Sequence, residues 1–192
     1  HGLAGWGYLE EMFFGAGGEV LYHPLTRNYA LGAEVYQVWK RDPLTYGALG
    51  VTDEDYWSAH VKAYADVPKY KARLGIKAGR YVGGDYGATI TGLKEFRNGA
   101  RLDAFLTWTD DADYNMDGER THLNAGLSLS LPLGSIDRPV PVYARTRNEY
   151  APFGQENGVM VQAPYELIEM TSHLSESRIQ KDWADIKGPD SP

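Results

Sequence analysis

Cysteine is absent from the chain, which excludes disulfides, zinc–thiolate sites, iron–sulfur clusters and cysteine nucleophiles. That absence suits an envelope protein that must avoid stray oxidation. A run of about 18 apolar residues is also missing, so no transmembrane helix is available. Barrel strands escape this test, because they alternate apolar and polar residues and average out. A basic surplus is lacking as well. Lys plus Arg is 19 against 26 Asp plus Glu, a net charge of −7, which argues against a nucleic-acid binder. Histidines are few and scattered, at His1, His23, His60, His122 and His173. None pairs at a metal-binding spacing, so they read as solvated or hydrogen-bonded side chains, and no metal or cofactor is expected. His1-Gly2-Leu3-Ala4 is not a basic leader followed by an apolar core. The expectation is a mature form or a piece of something longer.

Glycine and two aromatics are in excess. There are 22 glycines in 192 residues, against a usual ~7%. Tyr (14) and Trp (5) far outnumber Phe (5). Both carry a polar handle on an apolar ring and favour a boundary with one dry and one wet side.

The dominant period is two. Leu123, Ala125, Leu127, Leu129 and Leu131 alternate with His122, Asn124, Gly126, Ser128 and Ser130. Successive strand side chains point to opposite faces, so this stretch has one greasy and one wet face. The same pattern recurs around 14–22, 29–40, 57–66, 71–78, 86–91 and 101–109. It predicts about eight or nine strands, each roughly 9–12 residues long, within residues 1–165. Soluble strands usually run about 5–6 residues, whereas a tilted transmembrane strand needs about 9–11. The fold class expected is therefore all-β, an antiparallel transmembrane β-barrel or a segment of a larger one.

Long, polar links are read at 41–56 and 110–121, and short ones at 23–28, 66–70 and Asn98-Gly99, a strong two-residue hairpin signal. Alternating short and long links, with aromatics near strand ends, fit short periplasmic turns, longer outer loops and an interfacial girdle. Thr171-Ser172 reads as the cap of a short helix over 173–186, with Ile179, Trp183 and Ile186 on one face. Residues 166–192 are expected to form this helix and a tail outside the barrel wall. The end strands are expected near 12–22 and 157–163, each pairing with another barrel-forming segment.

The wet strand faces supply the candidate lumen residues: Glu34, Tyr36, His60, Lys62, Tyr64, Arg73, Lys77, Arg101, Asp103 and Phe105. Their charges line a polar path and their aromatics are candidates for stacking on sugar rings. Other chemistry is sought and not found. The acidic run Asp110–Glu119 lacks EF-hand spacing and reads as a solvated loop. Gly79–Asp85 reads as a hairpin, since no helix follows to cradle phosphate. A carboxylate pair such as Asp103 with Glu95 is expected by coincidence in so acidic a chain. No catalytic residue is assigned, and the chain is not expected to be an enzyme.

Three strings carry a resemblance: 11–22 (EMFFGAGGEVLY), 33–42 (AEVYQVWKRD) and 78–89 (AGRYVGGDYGAT). They resemble the YjbH family and its GfcD relatives, proteins of exopolysaccharide or group 4 capsule export in the Gram-negative outer membrane. The resemblance runs from about residue 8 to about 187 and matches the C-terminal part of longer family members. It implies a barrel role in polysaccharide export, with the lipid bilayer, polysaccharide and another barrel-forming segment or chain as partners and no nucleic acid. The alternatives are a general porin-like channel and a soluble carbohydrate-binding β-sandwich.

Overall fold

The computed structural model describes residues 1–9, 12–42, 50–96, 100–114, 118–131, 157–161 and 166–172. These residues form one antiparallel sheet of eight strands with a short helix. The strands are β1 (Gly2–Tyr8), β2 (Phe13–Tyr22), β3 (Tyr29–Arg41), β4 (Val51–Val67), β5 (Ala72–Arg80), β6 (Tyr86–Glu95), β7 (Arg101–Tyr114) and β8 (Arg120–Ser130). Their spatial order is their sequence order, so each strand pairs with its chain neighbours. The sheet is open, because β1 and β8 do not pair with each other. The helix α1 spans Leu167–Ser172.

The alternation sorts side chains as the sequence demands, with the polar face inside. Along β4, Val61 is 63% exposed while its neighbour Lys62 is 3% exposed. Ser58, His60, Lys62 and Tyr64 are buried on one face; Trp57 and Val61 are exposed on the other. Outward-facing Leu31, Leu74, Ile76, Ile90, Leu106 and Leu127 are all exposed. An ordinary soluble sheet buries its apolar face, so this one is inverted.

The sheet is curled around the segment that follows it. Leu167 donates its N–H to the Glu19 carboxylate of β2, and Glu169 accepts from Arg101 of β7. In a flat sheet β2 and β7 would lie about 24 Å apart. One short helix reaches both because the polar face is concave. Residues 157–161 cover another part of that face: Val82 donates its N–H to Val159 O at 3.0 Å, and Gly158 donates its own to Asp85 at 2.8 Å. Two small apolar clusters anchor these pieces. Leu167 and Ile168 pack with Leu21, Ala30 and Tyr64; Val161 packs with Tyr36, Val38 and Val82. Gly158 has φ +73° and would place a Cβ 2.4 Å from the Thr107 methyl, so any larger residue there is both strained and crowded.

Several expectations change. The first strand is β1, so 12–22 is not an edge. Its sequence, GLAGWGY, puts glycine and alanine on both faces and shows little alternation. Residues 157–161 are not a strand but a turn and extended chain on the polar face. The other edge is β8. The link read over 41–56 is shorter, because β4 begins at Val51; likewise β7 runs on to Tyr114 and β8 starts at Arg120. Acidic side chains there do not stop the ladder, since paired backbone groups hydrogen-bond whatever the side chains are. Register shifts at Trp39/Arg41 and Trp108/Asp113 mark the irregular bases of these two extensions. Both extensions lie at the same end of the sheet, opposite the β2–β3, β4–β5 and β6–β7 links. Thr171 and Ser172 lie within α1 instead of capping a later helix. The helix expected over 173–186 and the Asn98-Gly99 turn lie outside the described residues.

Candidate polar site inside the sheet

Register builds the site. Glu19 of β2 stands opposite Glu34 of β3, which stands opposite His60 of β4. Lys62 lies two residues along β4 on the same face and opposite Lys77 of β5. Two lysines face to face would repel, so carboxylates must surround them. They do. The Lys62 ammonium lies 3.2 Å from Glu19 Oε1 and is in direct contact with Glu34 Oε2. Glu34 Oε1 is 3.2 Å from His60 Nδ1. Lys77 Nζ reaches Glu166 Oε1 at 2.6 Å, just before α1. Glu19 Oε2 is left to accept the Leu167 N–H at 2.9 Å. A helix N-terminus leaves such donors without an intrahelical partner, and here a buried carboxylate takes one.

A second group lies further round the sheet. Arg101 of β7 holds Asp103 through both carboxylate oxygens, at 2.8–3.0 Å, and donates to Glu169 Oε1 of α1 at 2.8 Å. Such a fork fixes geometry as well as charge. Arg73 pairs with Asp66 at 2.6 Å, apart from both groups. A ladder of hydroxyls continues the Lys62–Lys77 row across β6 and β7: Tyr81 OH to Thr89 Oγ1 at 2.7 Å, and Thr89 to Thr107 Oγ1 at 2.8 Å. Burial pushes the Tyr81 phenol up, and the Thr89 hydrogen bond only partly opposes this.

Outside the strands, two titratable groups hold α1 and its approach. His23 Nδ1 lies 2.9 Å from Thr171 Oγ1, and the Thr171 hydroxyl donates to Leu167 O at 2.8 Å. Burial pushes the His23 imidazole below its ordinary range, with Asp66 opposing. Burial acts to raise the Glu166 carboxyl, but Lys77 and Lys62 outweigh it and hold the group below the usual carboxylate range.

The structure thus brings Glu34, His60, Lys62 and Lys77 together with Glu19 and Glu166. It places Arg101 and Asp103 with Glu169, and Arg73 with Asp66. Tyr36 and Tyr64 sit in the two apolar clusters, and no partner is recorded for the Tyr64 hydroxyl among the described residues. Phe105 faces Gly126 and Thr91 across its neighbouring strands. Glu19 stood on the wet face in the sequence but only register pairs it with Lys62. Glu166 and Glu169 carry no periodic signal at all. Every carboxylate named here lies against a Lys or Arg, which suits a packed polar wall. Among the described residues no group of three or more His, Asp and Glu side chains is placed to hold a metal ion.

The fold and this interior define an all-β chain with an apolar outside and a charged inside. The chain belongs to the YjbH family: the model of that family, described as "Exopolysaccharide biosynthesis protein YbjH", matches residues 2–173. A protein of Escherichia coli (strain K12) named "Uncharacterized lipoprotein YjbH" is 32% identical over 174 residues, 88% of this chain. The chain spans 24% of that relative's length. No solved structure matches the chain.

Proposed function

We propose that this chain is a β-barrel segment of the Gram-negative outer membrane that serves exopolysaccharide or capsule export, and that it acts as a wall and conduit, not as an enzyme. The observation that carries the reading is the exposed face. On β4 the exposed Trp57 stands eight residues before Ala65, which pairs with the exposed Tyr29, and ten before the strand ends beside the exposed Tyr70. Eight to ten strand residues tilted by about 40° rise about 21–26 Å, close to the ~25 Å apolar band of an outer-membrane barrel. Between those levels the outward residues of β4 to β8 are Ala, Val, Leu, Ile and one Gly, with Arg80 of β5 at the boundary opposite Tyr86, its guanidinium 4.2 Å from the centre of the Trp57 ring. Aromatics bound the band at both ends: Tyr8, Trp57, Tyr86 and Trp108 at one, Tyr22, Tyr29, Tyr70 and Phe96 at the other.

An open edge in lipid leaves backbone groups unpaired at several kcal/mol each, so β1 and β8 must pair with further strands. A chain spanning 24% of its relative's length leaves room for them in a longer polypeptide. In this reading the interior wall carries Glu34, Tyr36, His60, Lys62, Tyr64, Arg73, Lys77, Arg101, Asp103 and Phe105. While 157–161 and 166–172 cover the rest, the part-exposed Arg73, Arg101, Asp103 and Phe105 remain within reach of a polymer. A general porin shares the strand physics without the family match. A soluble sugar-binding sandwich would need a second sheet over the apolar face, and among the described residues there is one sheet.

The test is fractionation coupled to secretion. In a Gram-negative host lacking its own relative, the full-length protein should float with outer membranes and restore polymer release. Arg101→Ala with Asp103→Ala should lower release at unchanged membrane abundance. Recovery in the soluble fraction, or release indifferent to loss of the protein, would overturn the proposal.

A further inference from the structure

The two ends of the sheet differ in charge. The end bearing the extended hairpins carries Asp53, Glu54, Asp55, Asp110, Asp111 and Asp113. The opposite, turn end carries Arg27, Lys69 and Lys94, set among exposed aromatic and aliphatic side chains. The 3-10 turn Pro68–Tyr70 projects Lys69, whose ammonium lies 5.5 Å from the centre of the Tyr70 ring. Lys94 belongs to the outward row of β6, two positions beyond Gly92 and four beyond Ile90, and its ammonium donates to the Tyr70 carbonyl. An ammonium has three donors, so one such bond leaves others to spend. Asp66 N–H to Asn28 O, at 2.8 Å, ties the turn bearing Arg27 to the turn bearing Lys69. Arg27 and Lys69 are exposed. Just beside these cations, Tyr70 is 57% and Phe96 44% exposed, with Leu74 on the apolar row above.

We infer that this end is a docking surface for anionic glycerophospholipid headgroups: Arg27, Lys69 and Lys94 take the phosphates while Tyr70, Phe96 and Leu74 lie at the acyl boundary. The inference rests on the membrane reading above and deepens it by naming the lipid. A cation on an alkyl stem beside an apolar surface extends its head to the headgroup level. Tyr rings prefer the same depth. Each Lys or Arg near an anionic surface adds attraction that falls off within a Debye length. At the hairpin end the cations Lys40, Arg80 and Arg120 are outnumbered by the carboxylates, and Lys40 is paired with Glu54, so the anionic leaflet should meet the turn end.

Spin-labelled lipids give the test. The full-length protein is reconstituted in phosphatidylcholine vesicles doped with labelled phosphatidylglycerol or labelled phosphatidylcholine, and the motionally restricted fraction is read by electron spin resonance. Phosphatidylglycerol should associate at least about twofold more strongly, a modest figure because only a few boundary positions adjoin a cation. Arg27→Ala, Lys69→Ala and Lys94→Ala together should remove the preference, the Lys→Arg changes should keep it, and 1 M KCl should suppress it. Inorganic phosphate at constant ionic strength should not compete. A restricted fraction with no headgroup preference, or a preference that survives the triple alanine variant or yields to inorganic phosphate, would overturn the inference and leave the membrane reading standing. No restricted fraction for either lipid would overturn the membrane reading itself.

Discussion

Lys62 is the side chain on which the interior charge balance turns. Its side chain is fully buried between two carboxylates whose own side chains are 1% and 8% exposed. Lys62→Met keeps length and packing but leaves Glu19 and Glu34 facing each other with one cation fewer. Removing one member of a buried ionic group costs about 3–5 kcal/mol, because the remaining charge is uncompensated. Part of the strain falls on α1, since Glu19 also accepts the Leu167 N–H. Combining Lys62→Met with Glu34→Gln removes one charge of each sign and should cost less than the sum of the two changes by at least about 1.5 kcal/mol. Urea unfolding of vesicle-reconstituted protein, followed by tryptophan fluorescence, measures both quantities. A Lys62→Met variant within about 1 kcal/mol of the parent, or additive losses in the double variant, would refute the reasoning.

Three further outcomes follow from the same geometry. Leu127 is 58% exposed on the apolar face and Ser128 points inward, so Leu127→Arg should cost about 2–4 kcal/mol near the bilayer midplane and Ser128→Arg much less; equal costs in urea titrations would defeat the sidedness. Docking of α1 should depend on pH in two stages, read by its hydrogen exchange. The His23 pKa is lowered from 6.5 by burial, so the unfolded state binds the proton more readily, and the contribution is full above about pH 6.5 and lost as pH falls through the lower folded value. The Glu166 pKa is lowered from 4.5 despite burial, because Lys77 and Lys62 stabilise the carboxylate, so its share persists above about pH 4.5 and is lost in more acid solution; protection that grows on acidification would contradict both signs. Cysteines at Ala4 and Leu127, one on each edge strand, should not cross-link within one isolated chain, and a disulfide between them there would show that the eight strands close alone.

Seven of the strands were legible because their two faces differ in chemistry residue by residue, as the run from Leu123 on β8 shows most plainly. β1 was not, since Gly2, Ala4, Gly5 and Gly7 give neither face a character and only pairing with β2 makes it a strand. The hairpin extensions were hidden for the opposite reason: Asp53, Glu54, Asp110 and Asp111 look like loop residues, while the backbone ladder beneath them is indifferent to charge. Of the polar interior, Glu34, His60 and Lys62 could be placed on one face by counting in twos. Which of them touch depends on register between strands, and the sequence does not print that. Glu166 and Glu169 enter the site only through the curl of the sheet, a tertiary fact without a local signature.

The inverted sheet stands or falls on what its apolar face touches. This chain has no cysteine of its own, so single cysteines can be placed at each position from Leu123 to Ser130 on β8 and labelled with an environment-sensitive fluorophore in the reconstituted protein, any cysteine elsewhere in a longer polypeptide being replaced first. Quenching by brominated acyl chains should alternate with period two, strong at 123, 125, 127 and 129 and weak at 124, 126, 128 and 130. Uniformly weak quenching along β8, or quenching with the opposite phase, would contradict a lipid-facing apolar surface.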